Sequence, residues 1–261
     1  MKIKFYKYQG AGNDFVMIDN RENLFDKNNN NLIKKLCDRR FGIGADGLIL
    51  LEKSNKYDFK MYYYNADGNE STMCGNGGRC IVAFAKKLNL IKNKATFKAI
   101  DGIHYAEIIR DLVNLQMIDV EFILENNDYL FLNTGSPHHV TFQDNIDKLN
   151  VKEEGRKIRY GKPYFKEGTN VNFVEQIDDN VFKVRTYERG VEDETLACGT
   201  GVTAVAIAAY QANKTISNHV FLNTLGGMLE VSFEKDEYEY SKVFLKGPAT
   251  FVFEGVFYYE L

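Results

Sequence analysis

The chain has 261 residues, of which 44% are hydrophobic and 26% charged, enough for one large domain or two ordinary ones around a proper core. Its formal net charge is only −3, and no dense Lys/Arg block gives it the footprint of a nucleic-acid or membrane-surface binder. No apolar run approaches the ~18 residues of a membrane span.

Taken in order, Ile3 to Tyr8 and Phe15 to Asp19 look like strands around a turn at Gly10-Ala-Gly-Asn13. Asn31 to Arg39 follows as a helix with Leu32, Ile33 and Leu36 on one face. Leu48 to Leu51 and Phe59 to Tyr64 are expected strands, and Gly75 or Asn76 opens a helix to about Lys87. Thr96 to Met117 alternates and is expected to form two strands. In the second half, strands flank Gly135-Ser-Pro-His138, and a polar helical stretch covers Asp147 to Tyr160. Strands at Val171 to Val174 and Val181 to Tyr187 precede another helix, and TLGGMLEV in the β-rich tail reads as a hairpin. The runs Asn28 to Asn31 and Asn126-Asn-Asp128 are polar turns.

Two stretches share an unusual plan. Glu70-Ser-Thr-Met-Cys-Gly-Asn-Gly-Gly-Arg-Cys80 leads into Ile81-Val-Ala-Phe-Ala85, and Glu194-Thr-Leu-Ala-Cys-Gly-Thr-Gly201 leads into Val202-Thr-Ala-Val-Ala-Ile-Ala-Ala209. Both read Glu, Ser or Thr, two residues, then Cys-Gly-x-Gly and a helix. Cys74 and Cys198 lie about half the chain apart, as do the turn glycines Gly12 and Gly135. Two matched pairs in the same order point to an internal duplication with two like domains.

Other motifs fall away on context. Gly42-Ile-Gly-Ala-Asp-Gly47 matches a dinucleotide fingerprint literally, but it follows a helix and precedes a strand, the reverse of what that motif needs; a tight turn is expected. Cys74 and Cys80 are spaced too widely for a zinc pair, and His138 and His139, being adjacent, diverge on an extended segment. No CxxC supports a thioredoxin-like dithiol. Four irregularly spaced cysteines argue against a disulfide scaffold and for a reducing compartment. The opening MKIKFYKYQGAG lacks a signal peptide's apolar stretch, so a cytoplasmic protein is expected.

Cys37 and Cys80 fall within expected helices, where a free cysteine is usually a small buried hydrophobe. Cys74 and Cys198 instead precede a helix. There the exposed N–H groups and the helix dipole favour a thiolate, and the glycines let a carboxylate approach the backbone. Either alone would often be inert. A matched pair suits a reaction with two faces, in which a proton leaves one side of a carbon and another arrives from the opposite side.

GNDFVMID (12–19), FGIGADGL (41–48), NADGNESTMCGNGGRC (65–80), GSPH (135–138), YERGVEDETLACGTG (187–201) and the later LGG and GPAT stretches resemble the diaminopimelate epimerase family over essentially the whole chain. The resemblance implies an α/β (α+β) fold of two pseudo-symmetric domains, each a curved sheet around a central helix. These would be residues 1–112 plus 250–261 and residues 113–249, with the active site in the cleft between them. It implies a homodimer and an isomerase that interconverts LL- and meso-diaminopimelate with no cofactor and no metal, for lysine and peptidoglycan synthesis.

Carried over by position, Cys74 and Cys198 are the acid/base pair, with Cys74 the donor and Cys198 the acceptor in the usual naming. Backbone amides of Gly75-Asn76 and Gly199-Thr200 hold the reacting carboxylate. Asn65, Asn170 and the pair Glu188-Arg189 read the distant amino acid end, and Asn13 binds from the first turn. Arg189 suits a carboxylate bidentately. His138 and Glu188 resemble residues that tune the thiols, through a charge effect. Ser136 stands where many members have asparagine and is retained as a weaker substrate-binding candidate, since its hydroxyl still offers a hydrogen bond; Gly47 stands where some have a binding glutamine, and no role is carried over to it. Without these motifs, Glu188 and Arg189 would read as an exposed surface pair, Asn65 and Asn170 as turn residues, and His138 as a structural histidine. A proline or hydroxyproline racemase-like enzyme, a non-catalytic amino acid-binding relative and a thiol-redox protein are the alternatives.

Overall fold

A computed structural model describes residues 2–259. The chain forms two compact units, one running to Leu115 and taking in the segment from Pro248 onward, the other Gln116–Gly247.

The first unit opens with β1 (Lys2–Gly10) and β2 (Asn13–Asp19), joined by Ala11 and Gly12. Both loop residues take positive φ, 52° and 84°, the geometry that matches a hairpin's right-handed twist. Helix α1 (Asn30–Cys37) is capped by the Asn29 side chain, which accepts from the Leu32 amide at 3.0 Å, and buries Leu32, Ile33, Leu36 and Cys37. Part of the Asn28–Asn31 run therefore starts this helix rather than forming a turn. Strands β3 (Gly47–Glu52), β4 (Phe59–Asn65) and the short β5 (Glu70–Ser71) follow, then α2 (Gly75–Lys87).

The segment expected to form two strands forms three: β6 (Lys94–Ala99), β7 (Gly102–Ile109) and β8 (Leu112–Gln116). The missed break is Arg110-Asp111, which turns in two residues at φ 49° and 68° without a glycine or proline to announce it.

The second unit has β9 (Ile123–Glu125), β10 (Leu130–Asn133), β11 (Pro137–Phe142) and α3 (Val151–Tyr160). Next come β12 (Asn170–Asp178), β13 (Val181–Glu188), β14 (Asp193–Thr195), α4 (Gly199–Gln211), β15 (His219–Thr224), β16 (Gly227–Lys235) and β17 (Tyr240–Gly247). The expected tail hairpin is β15–β16, closed at Thr224 opposite Gly227. The polar stretch before Tyr160 is a 3-10 turn at Ile146–Lys148 followed by α3. The last strand, β18 (Thr250–Tyr258), belongs to the first unit and pairs antiparallel with β1.

The duplication shows in the pairings. In the first unit β1–β2 is antiparallel, β2–β3 parallel after α1, β3–β4 and β4–β5 antiparallel, and β4–β6 parallel after α2. In the second unit β10–β11, β11–β12, β12–β13, β13–β14 and β13–β15 repeat those senses in that order, around α3 and α4. Each unit ends with two antiparallel hairpin pairings. Each wraps its strands around one buried helix. Helix α4 touches β10 to β13 and β15 to β17, and from Val202 to Ala209 every residue is buried. A helix apolar on all sides suits a position surrounded by sheet.

Candidate active site

In both motifs the Glu and Ser or Thr form the short strand that aims the chain at the helix. Ser71 pairs with Tyr63 and Glu194 with Tyr187; the chain then reaches Cys74 as the N-cap of α2 and Cys198 as the N-cap of α4, both helices 13 residues long. The helical ladders begin at Gly78 N–H to Cys74 O, 2.7 Å, and Val202 N–H to Cys198 O, 2.9 Å. The amides of Gly75, Asn76, Gly199 and Thr200 precede those ladders, where an anion is favoured.

In the first unit, Cys74 Sγ lies 3.6 Å from Asn13 Oδ1, which also accepts from Asn76 Nδ2 at 3.4 Å. The amide orientations are settled at both ends. Asn76 Oδ1 takes a bond from Arg79 at 2.9 Å, and Asn13 Nδ2 donates to the Asp46 carboxylate at 2.7 Å. Cys74 Sγ therefore has a hydrogen-bond acceptor, Asn13 Oδ1, within reach.

Arg79, one turn into α2, is fully buried and also donates to Gly75 O (3.3 Å) and Pro248 O (3.4 Å). Among the described residues it has no carboxylate partner. Burial lowers its pKa, and negative charge on Cys80 or Cys74 would offset this. Cys80 supplies no such charge, because burial pushes its thiol up to about 12. The guanidinium thus favours an anion at the start of α2. Cys37 is held at about 12 by the same cause. Asn65 is exposed at the end of β4, opposite Gly47, and takes no part in this chain of bonds. No side chain fits at Gly47: a Cβ there would meet the Tyr63 ring and Tyr64 O, each at 2.6 Å. The GIGADG segment is the expected turn, with Gly42 N–H on Asp38 O and Ala45 N–H on Cys37 O before β3. The buried ammonium of Lys7 donates to the carbonyl of Gly44 and pairs with Asp14 at 2.7 Å. Burial works against the Asp14 charge, but bonds from Arg39 and Lys7 outweigh it and hold that carboxyl at about 2.

In the second unit, Cys198 Sγ lies 3.4 Å from Thr200 Oγ1, which is 2.9 Å from His138 Nε2. Ser136 Oγ bonds to both, at 3.1 Å to Thr200 and 3.0 Å to His138, and takes a bond from Asn170 Nδ2 at 3.2 Å. Asn170 Oδ1 in turn accepts the Arg189 amide at 2.9 Å. Ser136, His138, Asn170, Arg189, Cys198 and Thr200 therefore form one connected group. The Arg189 side chain is exposed, with one guanidinium N–H on Glu167 O at 2.9 Å. Glu188, half-buried, ends β13 opposite Asp193.

His138 acts without charge. Full burial, with the nearby charge of Arg189, drives its pKa down to about 3, so its ring is neutral at neutral pH. Its Nε2 lies 2.9 Å from the Thr200 hydroxyl, which in turn lies 3.4 Å from Cys198 Sγ. His139 points away, stacked on Tyr129 and bonded to the Tyr164 hydroxyl at 2.9 Å. Sequence reasoning missed Arg79, Asp46 and Asn172. Arg79 had left a signal, a charge directly before the apolar run from Cys80 to Ala85. So had Asn172, two positions from Asn170 and hence on the same face of its strand.

The family model for diaminopimelate epimerase matches residues 5–122 and 130–252. A diaminopimelate epimerase of Flavobacterium psychrophilum is 62% identical over 253 residues, 97% of this chain and 99% of that protein. One from Hydrogenobaculum sp. is 42% identical over 277 residues, 98% of each. Among solved structures, a phenazine biosynthesis protein of the PhzF family from Bacillus anthracis has a TM-score of 0.77 at 16% identity, covering 99% of this chain and 100% of that one. A hydroxyproline epimerase from Agrobacterium vitis has a TM-score of 0.66 at 12% identity, covering 98% and 92%. At such identities the two structures show a shared fold.

Proposed function

The chain belongs to the diaminopimelate epimerase family, and from that premise we propose that it interconverts LL- and meso-diaminopimelate by two-base proton transfer, without a cofactor, in the supply of lysine and peptidoglycan precursors. The observation that carries the reading is the placement of Cys74 and Cys198 as N-caps of equivalent helices in a duplicated fold.

In the reaction, the Cys198 thiolate takes the proton from the α-carbon of one amino acid end and becomes a thiol. The Cys74 thiol delivers its proton to the opposite face and becomes a thiolate. In the reverse direction the roles exchange. The α-carboxylate accepts backbone N–H bonds from Gly75-Asn76 and Gly199-Thr200, which strengthen as negative charge builds on it in the transition state. Arg79 adds a fixed positive charge behind the first of these helix ends. Asn13, Asn65, Ser136, Asn170, Glu188 and Arg189 bind the substrate, the last two suiting the ammonium and carboxylate of the unreacting end.

The chain works as a homodimer. Supporting this, β18 carries Val252, Val256 and Tyr258 at 52%, 48% and 69% exposure, an apolar edge that a second copy would cover. A cytoplasmic site suits four free cysteines. Among the described residues, no helix is long and apolar enough to cross a membrane.

The test is turnover of LL-diaminopimelate in deuterated water, with proline and hydroxyproline as controls. Two-base transfer places solvent deuterium at the inverted carbon of early product and leaves recovered substrate unlabelled. Equal label in both pools would replace the two-base scheme with a single base, and inversion of proline instead would move the chain to another substrate class.

A further inference from the structure

Asn172 lies in β12, fully buried, and no sequence motif singles it out. Its amide has one possible orientation. Nδ2 lies 3.1 Å from the carbonyl oxygen of His139, which can only accept, so the nitrogen is the atom placed there. Oδ1 then takes the hydroxyl of Thr186 at 3.0 Å. The same Nδ2 lies 3.2 Å from His138 Nδ1, so Nδ1 must be an acceptor. A neutral imidazole with a bare Nδ1 carries its hydrogen on Nε2, and that hydrogen faces the hydroxyls of Thr200 and Ser136. A Thr200 oxygen that accepts a hydrogen bond from His138 Nε2–H has its own hydrogen left to donate, and Cys198 Sγ is 3.4 Å away.

Resting on the reading of Cys198 as an acid/base residue, we propose that Asn172 is a positioning residue: it fixes the His138 hydrogen on Nε2, so that the Thr200 hydroxyl donates to the Cys198 sulfur and stabilises its thiolate. The motif accommodates this relay. A Cβ on Gly201 would lie 2.6 Å from Asn172 Oδ1 and 3.4 Å from Cys198 Sγ, so the second glycine of Cys-Gly-Thr-Gly makes room for the asparagine as well as for the sulfur. Few other titratable groups face this end of the unit. Helix α4 has none before Tyr210, β12 none before Glu175, and β11 only His138 and His139. Strand β13 ends in Tyr187 and Glu188, followed by Arg189, whose charge acts on His138. The first unit offers Cys74 an acceptor, Asn13 Oδ1, at the corresponding place.

The experiment titrates Cys198 in the full-length Cys74→Ser protein, following iodoacetamide modification against pH by mass spectrometry. Asn172→Leu and Thr200→Val are each expected to lower the thiolate fraction at neutral pH about tenfold, the low end for a lost hydrogen bond to a charged group. Thr200→Ser, which keeps a hydroxyl, restores the titration. Nitrogen-15 NMR of the unsubstituted protein reads the His138 tautomer directly, so the proposal stays open to refutation even if Asn172→Leu fails to fold. A protonated Nδ1, or an unshifted titration in a folded Asn172→Leu variant, would overturn it. Neither measurement involves diaminopimelate, so failure here is distinguishable from failure of the epimerase reading, which the deuterium assay reports.

Discussion

The guanidinium of Arg79 donates to the side-chain oxygen of Asn76 at 2.9 Å from within the same helix, with its charge fully buried and, among the described residues, no carboxylate beside it. A buried cation without a partner is costly, and an anion arriving at the α2 N-terminus relieves that cost. Arg79→Leu is therefore expected to raise KM for diaminopimelate about tenfold or more, with Arg79→Lys intermediate, the scale of a charge-assisted bond. Steady-state kinetics on variants shown to be folded by circular dichroism would check this. An unchanged KM removes Arg79 from substrate binding.

Cys74→Ser and Cys198→Ser are each expected to cut kcat by roughly 10²–10⁴, the usual share of a general acid or base, because a serine hydroxyl does not ionise near neutral pH. Cys37→Ala keeps its turnover, since that thiol sits in the core and is held at about 12. Chiral chromatography of the two diaminopimelate isomers would measure all three.

Gly201→Ala places a methyl carbon 2.6 Å from Asn172 Oδ1 and 3.2 Å from Cys198 Cβ. Overpacking of this kind costs about 1–3 kcal/mol, so a drop in denaturation midpoint accompanied by a fall in kcat is expected. A Gly201→Ala protein as stable and active as its parent would show that the helix end has slack which the structure denies it.

Acid weakens the fold through two histidines. His138 and His139 have folded pKa values of about 3 and about 4, lowered first of all by burial, against about 6.5 in an unfolded chain. The unfolded state binds the extra protons, so stability is intact above about pH 6.5 and declines as pH falls toward 4. Between pH 7 and pH 5 each ring forfeits roughly 2 kcal/mol. His139→Phe, which can keep the stack on Tyr129, is expected to show a shallower loss over that window in urea titrations. Parallel slopes for the two proteins would remove His139 from the acid response.

Val256→Lys puts a charge on the exposed face of β18. The expected outcome is a monomer by sedimentation velocity where the unsubstituted chain sediments as a dimer. A variant that remains dimeric places the interface elsewhere.

Much of the fold was legible because the local signals were strong. Short apolar runs marked β2 and β3, and glycine before an apolar run marked both central helices. Arg110-Asp111 was not legible, since both residues reach left-handed geometry through context rather than residue type. Cys74, Cys198, Ser136, His138 and Thr200 could be named from sequence because their motifs are compact, but that the last three meet through hydrogen bonds could not. Asn172, Asp46 and Arg79 were harder, because what they do depends on which atoms face them across a sheet or a helix turn. The neutrality of His138 was hidden for the same reason: it follows from burial, and no residue beside it in the chain announces that.

The pairing of β18 with β1 fixes the order in which this chain can be completed during synthesis. The second unit is one continuous stretch and can close as soon as it leaves the ribosome. The first must wait, its opening hairpin lacking a neighbour along one edge, until β18 has followed the whole of the second unit. Stalled or shortened translation products would consequently hold a finished second half attached to an unfinished first half, with a bare β1 edge open to aggregation.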